Sequence, residues 1–206
     1  MSYSIDALTD NCYEGTTCLM NKLNIHDEKQ LSIVESNITL AKISILQQNP
    51  IGGNFDFDHY KAIHRFIFED LYEWAGTPRT VNLSKKGTLF VKAKDIENVA
   101  TACFDRLKSQ NFFKDFDIDD FIEGITDFYC VTNYLHPFKE GNGRTQRIFL
   151  SQLALNAGYE MDFAKVDTDK LMIATIQAAN GVGTFLKDTL REIITPIEPT
   201  FDISMQ

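Results

Sequence analysis

The twelve residues from His136 to Arg147 (HPFKEGNGRTQR) constrain this chain more than any other stretch, because they cannot be helical throughout while both flanks read as helix. Upstream, apolar side chains at Phe121, Ile125, Phe128 and Leu135, with Thr132 filling the remaining step, recur at helical spacing. Pro137 ends that run: it has no N–H to donate, and its ring disfavours the helical region for His136. Downstream, Arg144 to Ala157 reads as a second helix, apolar nearly all round and therefore central. Any fold of this chain must present an imidazole where one helix ends and two glycines, Gly141 and Gly143, where the next begins.

Those residue types belong together chemically. A helix start carries unpaired backbone N–H groups and the positive end of the macrodipole, so a Gly-Asn-Gly turn opening a helix lets an anion approach the bare backbone. Arg144 and Arg147 lie on neighbouring helical positions and can grip further phosphate oxygens. Glu140 offers a hard oxygen of the kind that binds the Mg2+ accompanying a nucleoside triphosphate. His136 titrates near neutral pH and can take a proton. Base, metal ligand, anion site and charge clamp together describe phosphoryl or nucleotidyl transfer. Taken singly, each has a plainer reading: a helix-capping histidine, a turn, two surface cations, a solvated carboxylate.

The remainder of the chain organises around this stretch. Residues 1–15 are polar and mixed and are expected to pack loosely or form an arm. Short amphipathic helix is expected over 18–25, a longer one over 28–48 capped by Asp27 with Leu31, Val34, Ile38, Ala41 and Ile45 on its apolar stripe, and another over 58–74 closing at Gly76. Residues 80–91 alternate and carry a Lys86-Gly87 turn signal, which predicts a β-hairpin. Helices follow over 95–110, from 117 or 118 to the loop, over 168–179 capped by Asp167, and over 184–194, before a tail marked by Pro196 and Pro199 that is expected to be unstructured. His59 and His64, five apart, share no helical face and read as structural.

At 206 residues the chain suits one domain with its own core, and a net charge of −9 argues against a general nucleic-acid surface. Cys12, Cys18, Cys103 and Cys130 show no Cys-x-x-Cys spacing and follow no signal peptide, so reduced thiols in a cytoplasmic setting are expected. No run is apolar enough to span a membrane, and secretion by a signal not readable here is left open.

HPFKEGNGRTQR resembles, position for position, the His-x-Phe-x-(Asp/Glu)-Gly-Asn-Gly-Arg-x-x-Arg signature of the Fic family. The likeness extends upstream through HRFIFEDLYEWAG (residues 64–76) and the Lys86, Gly87 and Phe90 segment, and covers about residues 13–194 of one domain. It implies an all-α Fic fold: a helical bundle with a central helix-loop-helix active site and one hairpin flap. It implies protein adenylyl transfer, in which a Tyr, Thr or Ser hydroxyl of a target protein attacks the α-phosphorus of ATP. By that resemblance His136 is the base and Glu140 holds Mg2+. Gly141, Asn142 and Gly143 form the anion hole, Arg144 and Arg147 contact the β- and γ-phosphates, and Phe138 anchors the loop. Lys86, Gly87, Leu89 and Phe90 of the flap position the target by strand addition. Gly143 stands where the related Doc toxins have Lys, which favours AMP transfer over phosphoryl transfer. The alternatives are a Doc-like phosphotransferase, a de-AMPylase, or a non-catalytic nucleotide-binding module.

Many Fic proteins are silenced by a helix bearing Ser/Thr-x-x-x-Glu-Gly/Asn, whose Glu pairs with the second signature Arg. Here Glu35 has Leu31 and Ser36 at the flanking positions, and Ser32 to Glu35 has the wrong spacing. The resemblance is therefore to toxins restrained by a separate small antitoxin, with Glu35 as a degenerate internal inhibitor the alternative. Toxin-like relatives modify type II topoisomerases, which makes bacterial gyrase and topoisomerase IV subunits the implied targets.

Overall fold

The computed structural model describes residues 11–85 and 88–198. Among them seven α-helices dominate: α1 Glu28–Gln48, α2 Phe57–Phe68, α3 Ile96–Ser109, α4 Ile118–Leu135, α5 Asn142–Asn156, α6 Thr168–Ala179 and α7 Thr184–Arg191. Two small antiparallel sheets complete the fold: β1 Ser84–Lys85 with β2 Thr88–Leu89, and β3 Tyr159–Met161 with β4 Ile194–Pro196. The helical class with one hairpin flap is as the sequence implied.

Aspartates start four of the helices. Asp27, Asp56, Asp117 and Asp167 each accept a hydrogen bond from a backbone N–H of the first turn, satisfying donors that the helix cannot. Helix α5 is central, with Asn142, Thr145, Gln146, Ile148, Phe149, Leu150, Gln152, Leu153 and Ala154 all buried. Phe149 is fully buried among Tyr60, Phe104 and Phe128, whose ring centroids lie 5.3, 5.6 and 5.8 Å away. Gln146 in turn donates to the Tyr129 carbonyl and the Thr132 hydroxyl, both at 2.8 Å, so α5 is fastened to α4 in one register. These two helices carry the loop between them as a rigid bracket.

Several expected elements differ. Residues 18–25 are not helical: the Asn21 side chain bonds the Leu19 and Ile25 carbonyls and the Ile25 N–H, and Cys12 bridges Leu19, so local side-chain bonds displace the helical ladder. Helix α1 has the expected bounds, but its buried stripe is Leu31, Thr39 and Leu46, while Ala41 and Ile45 are exposed.

Helix α2 stops at Phe68 rather than Trp74, because the chain turns back so that the Gly76 N–H can donate to the buried His64 Nδ1 at 2.8 Å. Gly76 has φ +78°, and a Cβ there would lie 2.8 Å from Arg65 Cβ, so the return passes too close for any side chain. The last helix ends at Arg191 rather than at residue 194. Ile194 and Pro196 form β4 against β3, in register Met161 with Ile194 and Tyr159 with Pro196. A strand of three residues leaves no readable period, and proline is tolerated because the sheet is two-stranded, so its N–H side faces no further strand. The arm expected over residues 1–15 falls largely, through residue 10, outside the described residues. So do Lys86 and Gly87, and the tail from residue 199 onward.

Candidate active site

His136 caps α4. Its own N–H bonds the Thr132 carbonyl, and it takes a left-handed conformation (φ +41°, ψ +59°) as the chain turns into Pro137. The imidazole Nδ1 lies 3.3 Å from the Asn133 carbonyl. A carbonyl can only accept, so Nδ1 carries the proton and Nε2 the basic lone pair. Phe90 lies flat over the ring, centroids 3.8 Å apart and planes 8° apart.

Phe138 is driven into the core, fully buried, with His64 stacked 3.7 Å from it. His64 is a brace for the loop: Nδ1 accepts from Gly76 N–H, and so Nε2 donates to the Glu140 carbonyl at 3.0 Å. Burial, reinforced by the nearby Arg144 charge and opposed by the Glu140 carbonyl, pushes the His64 pKa down to about 3 and keeps this ring neutral. Asn142 closes the loop from the other end. Its Oδ1 accepts from Phe138 N–H and its Nδ2 donates to the Phe138 carbonyl, both at 2.8 Å. The side-chain amide expected in the anion hole is thus engaged with Phe138, and what residue 142 offers an anion is backbone.

Gly141 precedes α5 at φ +78°, and no side chain caps the helix start. A Cβ on Gly141 would fall 2.2 Å from two ring carbons of Phe68. The turn is therefore glycine for two independent reasons, backbone sign and close approach. Gly143 differs: a Cβ there would meet only Arg147 Nη1, at 3.3 Å.

The two arginines part company. Arg147 lines a cavity of about 240 Å³ together with His136, Asn142, Gly143 and Gln146. Leu171, Met172 and Ile176 of α6, together with Thr168 and Thr175, form a largely apolar wall of it. Burial disfavours the charged guanidinium of Arg147, the Arg144 charge adds to this, and Tyr129 opposes it, so an anion arriving there meets a poorly solvated cation. Arg144 does not line that cavity. Its guanidinium donates to Glu35 Oε1 at 2.6 Å and Thr39 Oγ1 at 3.1 Å on α1, reaches Glu140 Oε1 at 3.4 Å, and sits 4.7 Å over the Phe68 ring. The Tyr72 hydroxyl also donates to Glu35.

The Glu140 carboxylate accepts from Gly141 N–H as well as from Arg144, and its side chain is 32% exposed. Among the described residues no group of three His, Cys, Asp or Glu side chains could hold a metal by itself. A single partly exposed carboxylate is nevertheless a fitting donor for Mg2+ that arrives on a triphosphate, since that ion takes one or two protein carboxylates and fills its shell with phosphate and water.

In the flap, Leu89 is 74% exposed, whereas Phe90 is buried against His136. Phe90 is therefore packed on the His136 ring, and Leu89 is the flap side chain that is exposed. Sequence reasoning missed Arg79, a buried residue that bonds the His136 carbonyl, and the α6 wall of the cavity. A lone arginine after Pro78 carries no sequence signal for such a role. Cys12, Cys18, Cys103 and Cys130 are free thiols. No helix among the described residues is long and apolar enough to cross a membrane.

Comparison with known proteins bears on this geometry. A family model described as Fic/DOC family matches residues 54–154. A probable protein adenylyltransferase, y4lH, of Sinorhizobium fredii is 35% identical over 89% of this chain and 94% of its own length. Protein adenylyltransferase VbhT of Bartonella schoenbuchensis is 34% identical over 87% of this chain, which spans only 38% of that longer protein. Among solved structures, the BepC effector of Bartonella tribocorum with bound AMPPNP superposes with a TM-score of 0.87 at 26% identity, covering 91% of this chain and 97% of that one.

Proposed function

This chain belongs to the Fic/DOC family, and from that premise we propose that it is a protein adenylyltransferase that moves AMP from ATP to a hydroxyl side chain of a target protein. The observation that carries the reading is that His136, Asn142 and Gly143 of the glycine turn, and Arg147 line one cavity walled by α6. The y4lH and VbhT relatives are named adenylyltransferases, and the BepC structure holds a nonhydrolysable ATP analogue, which supports the same chemistry.

In this mechanism His136 Nε2 takes the proton of a Tyr, Thr or Ser hydroxyl as its oxygen bonds to the α-phosphorus. The bond from that phosphorus to the bridging oxygen breaks, pyrophosphate leaves, and a phosphodiester joins AMP to the target. Backbone N–H groups at the start of α5 meet the phosphate charge, helped by the positive end of that helix. Arg147 takes the terminal phosphate, and the α6 wall receives the nucleoside. Glu140 is the residue that would hold Mg2+, whose charge when bound offsets that of the departing pyrophosphate. Leu89, at the exposed edge of the flap, is the contact offered to the target.

For regulation, we read the chain as a toxin-like enzyme restrained in trans by a small inhibitory partner. Glu35, the nearest thing to an internal brake, lies on Arg144 and not on Arg147, and among the described residues Arg147 pairs with no carboxylate. Type II topoisomerase subunits are the first targets to assay.

The test is label transfer. The chain should label a protein from ATP carrying its isotope at the α- but not the γ-phosphate, and His136→Ala should lose transfer by about 10²–10⁴-fold while binding AMPPNP normally. Transfer of γ-label would make it a phosphotransferase, and full activity of His136→Ala would remove the base.

A further inference from the structure

Arg79 is among the largest fully buried side chains of the described residues, and it does not itself line the nucleotide cavity, which it reaches only through the backbone of His136. Its guanidinium donates from Nε to the His136 carbonyl at 2.9 Å, from Nη1 to the Val81 carbonyl at 2.7 Å and from Nη2 to the Val91 carbonyl at 2.5 Å. Its backbone N–H adds a bond to the Pro137 carbonyl at 2.8 Å. Val81 and Val91 flank the flap hairpin where it leaves and rejoins the body, and His136 and Pro137 are the exit of α4. One planar fork thus binds both roots of the flap and the backbone of the catalytic histidine.

Two further contacts run along the same seam. Val91 N–H bonds the Tyr134 carbonyl at 3.1 Å, and Phe90, next to Val91, lies flat on the His136 ring. His136 is also in the left-handed region, which a non-glycine residue keeps only when its surroundings hold it there. A charge-assisted bond to its carbonyl is such a hold, and only a guanidinium can serve three carbonyls in fixed directions at once.

We propose that Arg79 is a positioning residue for transfer: it locks the flap and the base in one register, so that a hydroxyl delivered at the flap edge meets His136 Nε2. This rests on His136 being the base and on the flap receiving the target. It separates two properties that the site would otherwise lose together, because nucleotide binding does not pass through Arg79 and acceptor alignment does.

Arg79→Lys keeps the charge and loses the fork. In the full chain it should bind AMPPNP within about threefold of the parent, yet transfer α-label from saturating ATP into lysate proteins about 100-fold more slowly, the cost of a misplacement near 1 Å. The ¹⁵N resonances of the His136 ring should move away from the Nδ1–H form. Parallel loss of AMPPNP affinity and transfer, undiminished transfer, or unchanged His136 resonances would each overturn the proposal. If the variant does not fold, the parent decides: Arg79 Nε–H and Val91 N–H should exchange with solvent through one common opening, and exchange of Arg79 Nε–H at the rate of a surface arginine refutes the lock. A parent chain that transfers no label would sink the adenylyl-transfer reading alone, since neither resonance measurement depends on turnover.

Discussion

Gly141→Ala tests whether the loop is built from the packing described above or merely tolerates it. Alanine at φ +78° costs about 1–2 kcal/mol in backbone strain. Its methyl would lie 2.2 Å from Phe68 Cε2 and Cζ, well inside contact distance, against a ring that is fully buried between His64, 4.6 Å away, and the Arg144 guanidinium at 4.7 Å. Neither neighbour can retreat freely, so overpacking adds about 1–3 kcal/mol, for a total of about 2–5 kcal/mol. The two contributions can be separated by a double-mutant cycle with Phe68→Leu, which removes the offending ring edge while leaving the φ strain in place. Equilibrium urea unfolding of parent, both single variants and the double variant supplies the four free energies. The double variant should be more stable than the sum of the singles predicts by about 1–3 kcal/mol, the overpacking share alone. Strict additivity, or a Gly141→Ala cost below about 1 kcal/mol, would show that Phe68 does not dictate glycine at this position.

Other consequences are as direct. Glu35→Ala leaves the partly buried Arg144 without its closest carboxylate and should destabilise the fold by about 2–4 kcal/mol. AMP transfer by the isolated chain should not increase, and a rise of tenfold or more in a label assay would make Glu35 an internal brake. Arg147→Ala should weaken ATP binding by about 10–100-fold, the range for a charged hydrogen bond, while ADP affinity hardly changes. Equal losses for ATP and ADP in a binding titration would remove it from the terminal phosphate. His64 is neutral when folded and charges near pH 6.5 when unfolded, so its contribution is complete above pH 6.5 and is lost as pH falls toward about 3. Within that window stability should drop by up to about 1.4 kcal/mol per pH unit from this residue, and His64→Gln should flatten the pH dependence measured by denaturant unfolding.

The chain's order of residues determines where the capped helices start and where the loop falls, because those rest on local rules. The aspartate caps, the 3.6-residue repeat of α4 and the block at Pro137 operate within a few residues of each other, and they place His136, Gly141 and Gly143 correctly without reference to the rest of the molecule. The signature likewise carries the proposed chemistry, since histidine, carboxylate, glycine turn and arginines stand within a span that one turn can gather.

Which of those residues share a cavity was settled only by contacts between distant segments. Arg144 and Arg147 are alike in sequence, yet α1 brings Glu35 across 109 positions to claim the first, while the second meets α6. Asn142 could face an anion or its own loop, and the burial of Phe138 against His64 decides for the loop. Arg79 has no local pattern at all, because its partners are carbonyl groups that every residue carries and only the folded chain aims. Periodicity and capping are encoded next to the residues they govern; direction and burial of a polar side chain depend on what else has been packed beside it, and that is a property of the tertiary structure.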